Sequence, residues 1–193
     1  MKKYISMLLF VLILGIVASG ILIGMDILTA DRIEANEEID LRLTVLNVFE
    51  IPYDMSSINE IYESEISIET IDGLDFYLAP SGEVGFHIEG SGVWGPIIGF
   101  MAIDDEFETI KNVAILQQEE TPGLGGVVAE EEYLAQFEEV KVIPRLEINQ
   151  DASPNKENEV DAITGATRTS KAFEEIINNA INRYRSAWEQ SRE

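Results

Sequence analysis

The stretch Asp161-Ala-Ile-Thr-Gly-Ala-Thr-Arg-Thr-Ser170 decides how the end of this chain folds. After it, apolar residues recur at helical spacing and predict a last amphipathic helix. They are Phe173, Ile176, Ile177, Ala180, Ile181, Tyr184 and Trp188. Before it lies a polar, turn-prone run over 150–158. A turn rich in threonine and glycine therefore leads directly into a helix.

The first turn of this helix is suited to an anion. Its N–H groups have no partner within the helix, and they form the positive end of the helix dipole. Thr164, Thr167, Thr169 and Ser170 supply hydroxyls at the same place. Ser and Thr are also preferred helix caps, and Gly165 is ordinary turn chemistry. Physical reasoning alone therefore leaves an anion site and a plain capped helix equally open.

The same ten residues resemble the flavinylation motif of the FMN-binding domain family. That motif reads Asp, two residues, Ser or Thr, Gly, Ala, Thr, one residue, Thr, and the threonine after Gly-Ala carries FMN through a phosphoester bond. The resemblance implies that Thr167 is the covalent FMN site and that Thr164, Gly165 and Ala166 form the turn around the phosphate. It also implies that a separate flavin transferase, which uses FAD and magnesium, recognises Asp161. Arg168 departs from the smaller or apolar residue frequent in the family.

A second stretch, Glu120-Thr-Pro-Gly-Leu-Gly125, follows a predicted strand and needs unusual backbone angles. It lacks the Gly-Lys-Ser/Thr end of a nucleotide P-loop. It resembles the second motif of the FMN-binding domain family, which walls the flavin. The resemblance implies that the following residues contact the ring system: Glu120, Thr121, Gly123, Leu124 and Gly125. Two family motifs in family order, about forty residues apart, strengthen the assignment.

The segment Gly90-Ser-Gly-Val-Trp-Gly95 matches the Gly-x-Gly-x-x-Gly pattern but is not a dinucleotide fingerprint. That fingerprint requires a helix next, whereas Pro96 and an apolar run follow here. A similar Trp-containing loop lies near the flavin in the FMN-binding domain family. Trp94 therefore either flanks the flavin ring or anchors its loop on the core.

The composition excludes several classes of function. The 193 residues carry a formal net charge of −23, which argues against nucleic-acid binding. No cysteine is present, which excludes disulfides, thiolate-bound clusters and covalent haem. His87 is the only histidine, so a metal site of several histidines is excluded. We assign no catalytic acid or base and no metal ligand.

The N-terminal segment from Tyr4 to Met25 has 22 residues without a charge. At about 1.5 Å per residue such a helix is long enough for a hydrocarbon core. A cleaved signal peptide is the alternative, but its apolar run is normally shorter. Lys2 and Lys3 precede the segment and acidic residues follow it, so we expect a cytoplasmic N-terminus and an extracytoplasmic remainder in the inner membrane. We predict an anchor over 1–26, a helical stalk over 27–52 that Pro52 ends, and an FMN-binding domain over 53–193.

The fold predicted for the domain is α+β, with antiparallel strands and flanking helices after a single transmembrane helix. We expect a short helix from Ser56 or Ser57 to Ile66, with Glu60 completing a capping box. The following elements are also predicted: a hairpin of Leu74–Ala79 and Val84–Glu89, strands over Ile97–Ile103 and Ile110–Gln117, a helix over Glu130–Phe137 and a strand over Val140–Ile148 that Pro144 breaks. His87 is an ordinary strand residue.

The anchor and stalk resemble a subset of the FMN-binding domain family. It comprises the G subunit of the Rnf ion-translocating ferredoxin:NAD oxidoreductase and the C subunit of the sodium-translocating NADH:quinone oxidoreductase. The short chain is more similar to the Rnf subunit. The resemblance implies an electron-transfer subunit with covalent FMN that works with the integral-membrane and redox subunits of a translocase. The alternatives are a free-standing anchored flavoprotein and a non-redox extracellular binding module.

Overall fold

The computed structural model describes residues 2–150 and 156–192. Its first element is the helix α1, Lys2–Val48. By length and composition α1 could cross a membrane, although a signal sequence near an N-terminus passes the same test. The predicted apolar helix and the predicted stalk are one continuous helix, which ends four residues before Pro52.

Contacts divide the chain into two compact units, Met1–Asp40 and Leu41–Glu193. In the first unit the apolar side chains from Tyr4 to Leu28 are exposed. In the second unit, the last turns of α1 pack on a sheet and bury Val45, Leu46 and Val48. The end of the predicted stalk is therefore part of the folded unit.

A five-stranded antiparallel sheet organises the second unit, with its strands in sequence order. The strands are β1 Ser67–Ile71, β2 Leu74–Leu78, β3 Val84–Ser91, β4 Pro96–Ile103 and β5 Ile110–Gln118. The hairpin predicted around residues 80–83 is confirmed, since Leu78 pairs with Val84. The strand β1 was not predicted; it joins β2 through a turn in which Asp72 and Gly73 both have positive φ.

The sheet has a core on each of its faces. Val84, Phe86 and Ile88 alternate along β3 and are buried on one face, as predicted. The helix α2, Ile58–Glu65, and the end of α1 cover the other face. His87 points to this second face, where its Nε2 atom lies 3.3 Å from the Tyr77 hydroxyl. Burial lowers the pKa of His87, so it is an ordinary, neutral strand residue at pH 7.

The last helix, α4 Thr167–Ser191, covers the first face of the sheet. Its predicted apolar stripe is confirmed, with Phe173 and Ile177 fully buried and Ala180 half-buried. Toward its C-terminal end, Tyr184 stacks on Phe86 at 4.3 Å between ring centroids, and Trp188 stacks on Phe76 at 5.3 Å. Such aromatic pairs contribute about 0.5–1.5 kcal/mol each beyond their buried area.

Three local predictions need correction, and the first two concern helices. The helix predicted over 130–137 is an α-helical turn, α3 Glu131–Leu134, followed by a 3-10 turn, Ala135–Phe137. Ser57 precedes α2, but no capping box forms, because the Ser57 hydroxyl donates to the Asp54 carbonyl instead.

The predicted strand over 140–148 is wrong except at its end. The Lys141 and Val142 N–H groups donate to the carbonyls of Glu157 and Glu108, so the backbone there bonds to neighbouring loops. Only β6, Glu147–Asn149, is a strand, and it pairs in parallel with β7, Glu159–Asp161. The polar run between them was predicted as a turn; its residues 151–155 lie outside the described part of the chain.

Candidate functional site

An open cleft of about 290 Å³ lies where three segments of the second unit meet. The segments are the loop after β3, the loop after β5 and the start of α4. The residues that line it are Val93, Trp94, Glu120, Thr121, Leu124, Gly125, Gly165, Ala166, Thr167, Arg168 and Thr169. The two motifs singled out in the sequence therefore form one site.

Larger cavities of about 570 Å³ lie elsewhere in the second unit, for example between β5 and α3. They contain none of the motif residues. We assign the site by its residues rather than by volume, because a few convergent polar groups distinguish a binding site better than size.

Thr167 is the first residue of α4 and is exposed at the cleft. Its Oγ1 atom accepts one hydrogen bond, from the Gln150 side chain at 3.2 Å. Ala166 precedes the helix and offers no side-chain cap, and Gly165 turns the chain with a φ of +79°. The helix capped by a Ser or Thr side chain is therefore not what forms here, and the first-turn N–H groups receive no side-chain acceptor from residue 166.

The Ser170 side chain stabilises the turn before α4 through two hydrogen bonds. The Ile163 N–H donates to the Ser170 Oγ atom at 2.9 Å, and that hydroxyl donates to the Ala166 carbonyl at 3.1 Å. Ser170 is fully buried. It therefore fastens the turn from inside the protein, which leaves the outer side of the turn open.

Glu120 connects all three segments of the cleft. Its Oε1 atom accepts hydrogen bonds from the N–H groups of Val93, at 2.7 Å, and Trp94, at 3.0 Å. Its Oε2 atom accepts one from the Thr169 hydroxyl at 2.7 Å. Burial alone would raise the pKa of Glu120, but the hydrogen bonds from Trp94, Thr169 and Val93 outweigh it and lower that pKa. The carboxylate is therefore ionised at neutral pH.

Two glycines make room for this carboxylate. A Cβ atom on Gly125 would lie 2.5 Å from the Glu120 Oε2 atom and 2.6 Å from the Thr169 Oγ1 atom. A Cβ atom on Gly92 would lie 2.5 Å from the Glu120 Oε1 atom. Both distances are too short for a real contact, so these two positions of the loops need glycine.

The rim of the cleft is apolar and exposed. Trp94 is 73% exposed and Leu124 is 45% exposed. Trp94 therefore does not anchor its loop on the core, which was one of the two interpretations of the sequence. Its indole stands at the cleft, where an aromatic ring could lie against it.

Most of the predicted site residues line the cleft, but three do not. Asp161, Thr164 and Gly123 lie outside its lining. Asp161 ends β7, and its buried Oδ1 atom has no hydrogen-bond partner within the described residues. The Tyr133 hydroxyl is also buried and has no partner with hydrogen-bond geometry in the described chain. Burial raises the pKa of Tyr133; the nearby Ser170 hydroxyl opposes this shift and the Asp161 charge adds to it.

Three lining residues were not among the predicted site residues. Val93 and Thr169 donate to Glu120, and Arg168 is exposed on the first turn of α4. Thr169 is the last position of the threonine motif, so its place in that motif was the available signal. Nothing in the sequence distinguishes Val93, whose contribution is its backbone.

The class of protein follows from comparison with known families. Residues 92–182, which contain the whole cleft, match the FMN-binding domain family. The resemblance to this family that the two motifs predicted is therefore confirmed.

Particular relatives belong to one kind of complex. The chain is similar to the C subunit of the Na(+)-translocating NADH-quinone reductase of Pasteurella multocida, with 34% identity over 97 residues, 48% of this chain and 36% of the relative. The same subunit from Neisseria meningitidis serogroup A is 33% identical over 98 residues, 48% of this chain and 38% of the relative. The chain thus covers little more than a third of the length of these relatives.

Solved structures share the fold. The crystal structure of Shewanella oneidensis NqrC superposes with a TM-score of 0.69 and 17% identity, covering 81% of this chain and 98% of that one. The C subunit of the Na(+)-translocating NADH-quinone reductase of Parabacteroides distasonis gives a TM-score of 0.60 with 20% identity, covering 80% of this chain and 94% of that one. The predicted α+β fold with a long N-terminal helix is confirmed.

The residues of the cleft fit an FMN group. The exposed Thr167 hydroxyl lies at an uncapped helix start that suits a phosphate, and Arg168 adds a positive charge there. The exposed Trp94 and Leu124 side chains suit the faces of a flat ring. The cleft is at the small end of ligand pockets, so it would enclose only part of a flavin.

Proposed function

We propose that this protein is a membrane-anchored electron-transfer subunit that carries FMN covalently on Thr167. The observation that carries the proposal is the meeting of both family motifs at one cleft, with an exposed Thr167 hydroxyl at the uncapped start of α4. The family match over residues 92–182 supports FMN as the cofactor. FMN supplies the redox chemistry when it is bound, and the protein binds, orients and tunes it.

Attachment is a phosphoryl transfer to Thr167. The Thr167 Oγ1 atom attacks the flavin-side phosphorus of FAD, the P–O bond to the AMP half breaks, and AMP leaves. The hydroxyl proton is lost to a base of the flavin transferase or to water, and magnesium on that enzyme balances the phosphate charge. Thr167 suits this reaction because its hydroxyl is exposed and, within the described residues, its one hydrogen-bond partner is the exposed Gln150 side chain.

The other residues of the site would hold and orient the cofactor. The first-turn N–H groups of α4 and Arg168 favour the remaining negative charge of the phosphodiester. Gly165 and Ala166 leave the backbone open for close approach. Trp94, Thr121, Leu124 and Gly125 would border the ring, and Leu124 would shield it from water.

The peptide that carries residue 167 provides the test of attachment. When the protein is produced with an active flavin transferase and digested, this peptide should carry the mass of FMN less one water. If FMN is instead found on Thr164, Thr169 or Ser170, the assignment of Thr167 as the attachment site is wrong. Thr164 serves as the internal control, because it is also exposed and belongs to the same motif.

The anchor would place the flavin beside a membrane. We propose an anchor over 1–26, a stalk over 27–52 whose last turns pack on the folded unit, and an FMN-binding domain over 53–193, with a cytoplasmic N-terminus and an extracytoplasmic domain. The exposed apolar side chains from Tyr4 to Leu28 and the two lysines that precede them in the sequence support this arrangement. Two fusions after residue 193 would test the orientation, one to a reporter that is active only outside the cytoplasm and one to a reporter that is active only inside it. Activity of the first fusion alone supports the proposed orientation, and activity of the second alone would contradict it.

The assembly would be an ion-translocating oxidoreductase, in which the protein passes electrons between redox centres of its partners. Sequence resemblance favours a ferredoxin:NAD oxidoreductase of the Rnf type. The names of the relatives favour a sodium-translocating NADH:quinone oxidoreductase as the second candidate. Affinity purification of the full chain from its native membrane would separate the two. Co-purified reduced-ferredoxin:NAD activity supports the first, NADH:quinone activity supports the second, and flavoprotein without partners supports a free-standing carrier.

A further inference from the structure

We propose that the Glu120–Thr169 pair is a positioning clamp that presents Thr167 for flavin attachment and keeps one fixed negative charge beside the flavin. This inference rests on the proposed function of the cleft. It assigns Thr169 a role and gives Glu120 a role beyond direct contact with the ring. Both residues act through the position and the electrostatics of the groups around them.

The clamp joins segments that are distant in the sequence. Thr169 and Glu120 are 49 residues apart, yet the Thr169 hydroxyl lies 2.7 Å from the Glu120 carboxylate. The other oxygen of the same carboxylate holds two N–H groups of the loop after β3. Glu120 is in turn fixed by its own N–H, which donates to the Gln118 side chain at 2.6 Å. One buried group thus sets the relative position of all three walls of the cleft.

Helix geometry links Thr169 to Thr167. Successive residues of an α-helix are about 100° apart, so side chains two positions apart point to nearly opposite sides. Thr169 is 4% exposed and faces Glu120, whereas Thr167 is exposed. Fixing Thr169 inward therefore fixes the rotation of the first turn that directs the Thr167 hydroxyl outward.

A neutral glutamine at position 120 could satisfy the same three partners, because its amide oxygen can accept from the Val93 and Trp94 N–H groups and its NH2 group can donate to the Thr169 hydroxyl. These hydrogen bonds alone therefore do not require a charge at this position. Two glycines nevertheless surround the carboxylate so closely that a Cβ atom at either position would collide with it. The fold accommodates a buried charge at the wall of the cleft, where a charge affects the reduction of a nearby cofactor.

The first experiment compares Thr169→Val with Thr169→Ser. Valine keeps the shape and removes the hydroxyl, whereas serine keeps the hydroxyl. Thr169→Val loses a hydrogen bond to a charged group, and such bonds are stronger than those between neutral groups. Flavin attachment should therefore slow by about tenfold to a hundredfold. Thr169→Ser should restore the rate to within about threefold of the unmodified protein. Both rates are measured by intact mass with a purified flavin transferase, and circular dichroism monitors folding.

The outcomes separate the clamp from the proposed function. If the unmodified protein takes up no flavin, the proposed function fails and the clamp fails with it. If it is loaded and Thr169→Val loads as fast as Thr169→Ser, only the clamp is overturned. If Thr169→Val does not fold, the flavin midpoint potential of Glu120→Gln, measured in the second experiment, tests the clamp instead.

The second experiment measures the flavin midpoint potential of the loaded chains. Glu120→Gln removes the charge but keeps an acceptor for Val93 and Trp94, and its amide can donate to the Thr169 hydroxyl. Losing a negative charge beside a group that gains electrons should make its potential more positive. Glu175→Gln is the matched control, because it makes the same charge change at an exposed position of α4. Equal potentials for the two variants would overturn the fixed-charge part of the clamp.

Discussion

The two ends of α4 are built on different principles. Its C-terminal half is packed into an aromatic cluster in which Phe76, Phe86, Tyr184 and Trp188 stack closely. Its N-terminal end has a buried hydrogen-bond network around Glu120 and Ser170 and an exposed hydroxyl at Thr167. Apolar burial secures one end, and directional polar contacts shape the other.

The difference shows how one helix can serve both stability and function. Apolar packing tolerates some variation in position, but a hydroxyl that must react with a phosphate needs a defined orientation. Under the proposed function, the hydrogen bonds at the polar end provide that orientation. Changes at the two ends should therefore affect different properties of the protein.

Thr167→Ala should have the largest effect on flavin content and almost none on stability. The variant should lose all covalent flavin, because the attached oxygen is absent. Its free energy of unfolding should change by no more than about 0.5 kcal/mol, since the side chain is exposed. Flavin fluorescence on a denaturing gel and urea unfolding measure the two properties. Thr164→Ala is the control and should keep covalent flavin; bound flavin in denatured Thr167→Ala would contradict the assignment.

Trp188→Ala should show the reverse pattern. Trp188 is buried, stacks on Phe76 and donates its indole N–H to the Asp105 carbonyl at 3.2 Å. Its truncation should cost about 3–5 kcal/mol of unfolding free energy. At temperatures where the variant stays folded, attachment should proceed at the normal rate. Gln190→Ala, at an exposed position nearby, is the control for urea unfolding. A folded Trp188→Ala protein that cannot be loaded would show that the two ends are coupled.

Gly125→Ala should affect both properties to a moderate extent. The added methyl group would collide with the Glu120 carboxylate and the Thr169 hydroxyl, so one of them must move. We expect a loss of about 1–3 kcal/mol in stability together with slower attachment. Gly73→Ala provides the comparison, because it should also destabilise the fold, here through its positive φ, but lies in the turn between β1 and β2. That variant should lose stability alone, and equal attachment rates in the two variants would contradict the role of Gly125.

The smallest expected effect is a dependence of stability on pH. The pKa of Glu120 is lower in the folded protein than its ordinary value of about 4.3. Its ionised form therefore stabilises the fold fully above that ordinary value, and the contribution is lost as the pH falls through the lower, folded pKa. Urea unfolding at a series of pH values should show Glu120→Gln to be less sensitive to acid than the unmodified protein. Equal acid sensitivity of the two proteins would mean that the Glu120 carboxylate does not contribute to the pH dependence of stability.

The sequence predicted those parts of the molecule that depend on local periodicity. The stripe on α4 and the alternation along β3 each determine a buried face, and the structure confirms both. The strand predicted over 140–148 fails because its pairing before β6 is limited, within the described residues, to an isolated bridge between Lys141 and Thr109 next to the start of β5, and loop carbonyls accept from the Lys141 and Val142 N–H groups. The parallel pair β6 and β7 depends on contacts that no local pattern records.

The sequence could predict only those parts of the candidate site that lie in its two motifs. Resemblance predicted Thr167 and the loop after β5 as site residues, whereas the hydrogen bond between Glu120 and Thr169 joins residues far apart in the sequence. The roles of Gly92 and Gly125 in enclosing a carboxylate depend on three-dimensional distances alone. Such contacts become visible only when the three segments are placed together.

The most direct test of covalent attachment is the mass of the unmodified chain after denaturation. The protein would be produced with a flavin transferase of proven activity, denatured, and studied by intact mass and ultraviolet fluorescence. We expect a fluorescent band that is heavier by about 438 Da, the mass of FMN less one water. A dark band of unmodified mass would contradict covalent attachment and favour a non-redox binding module.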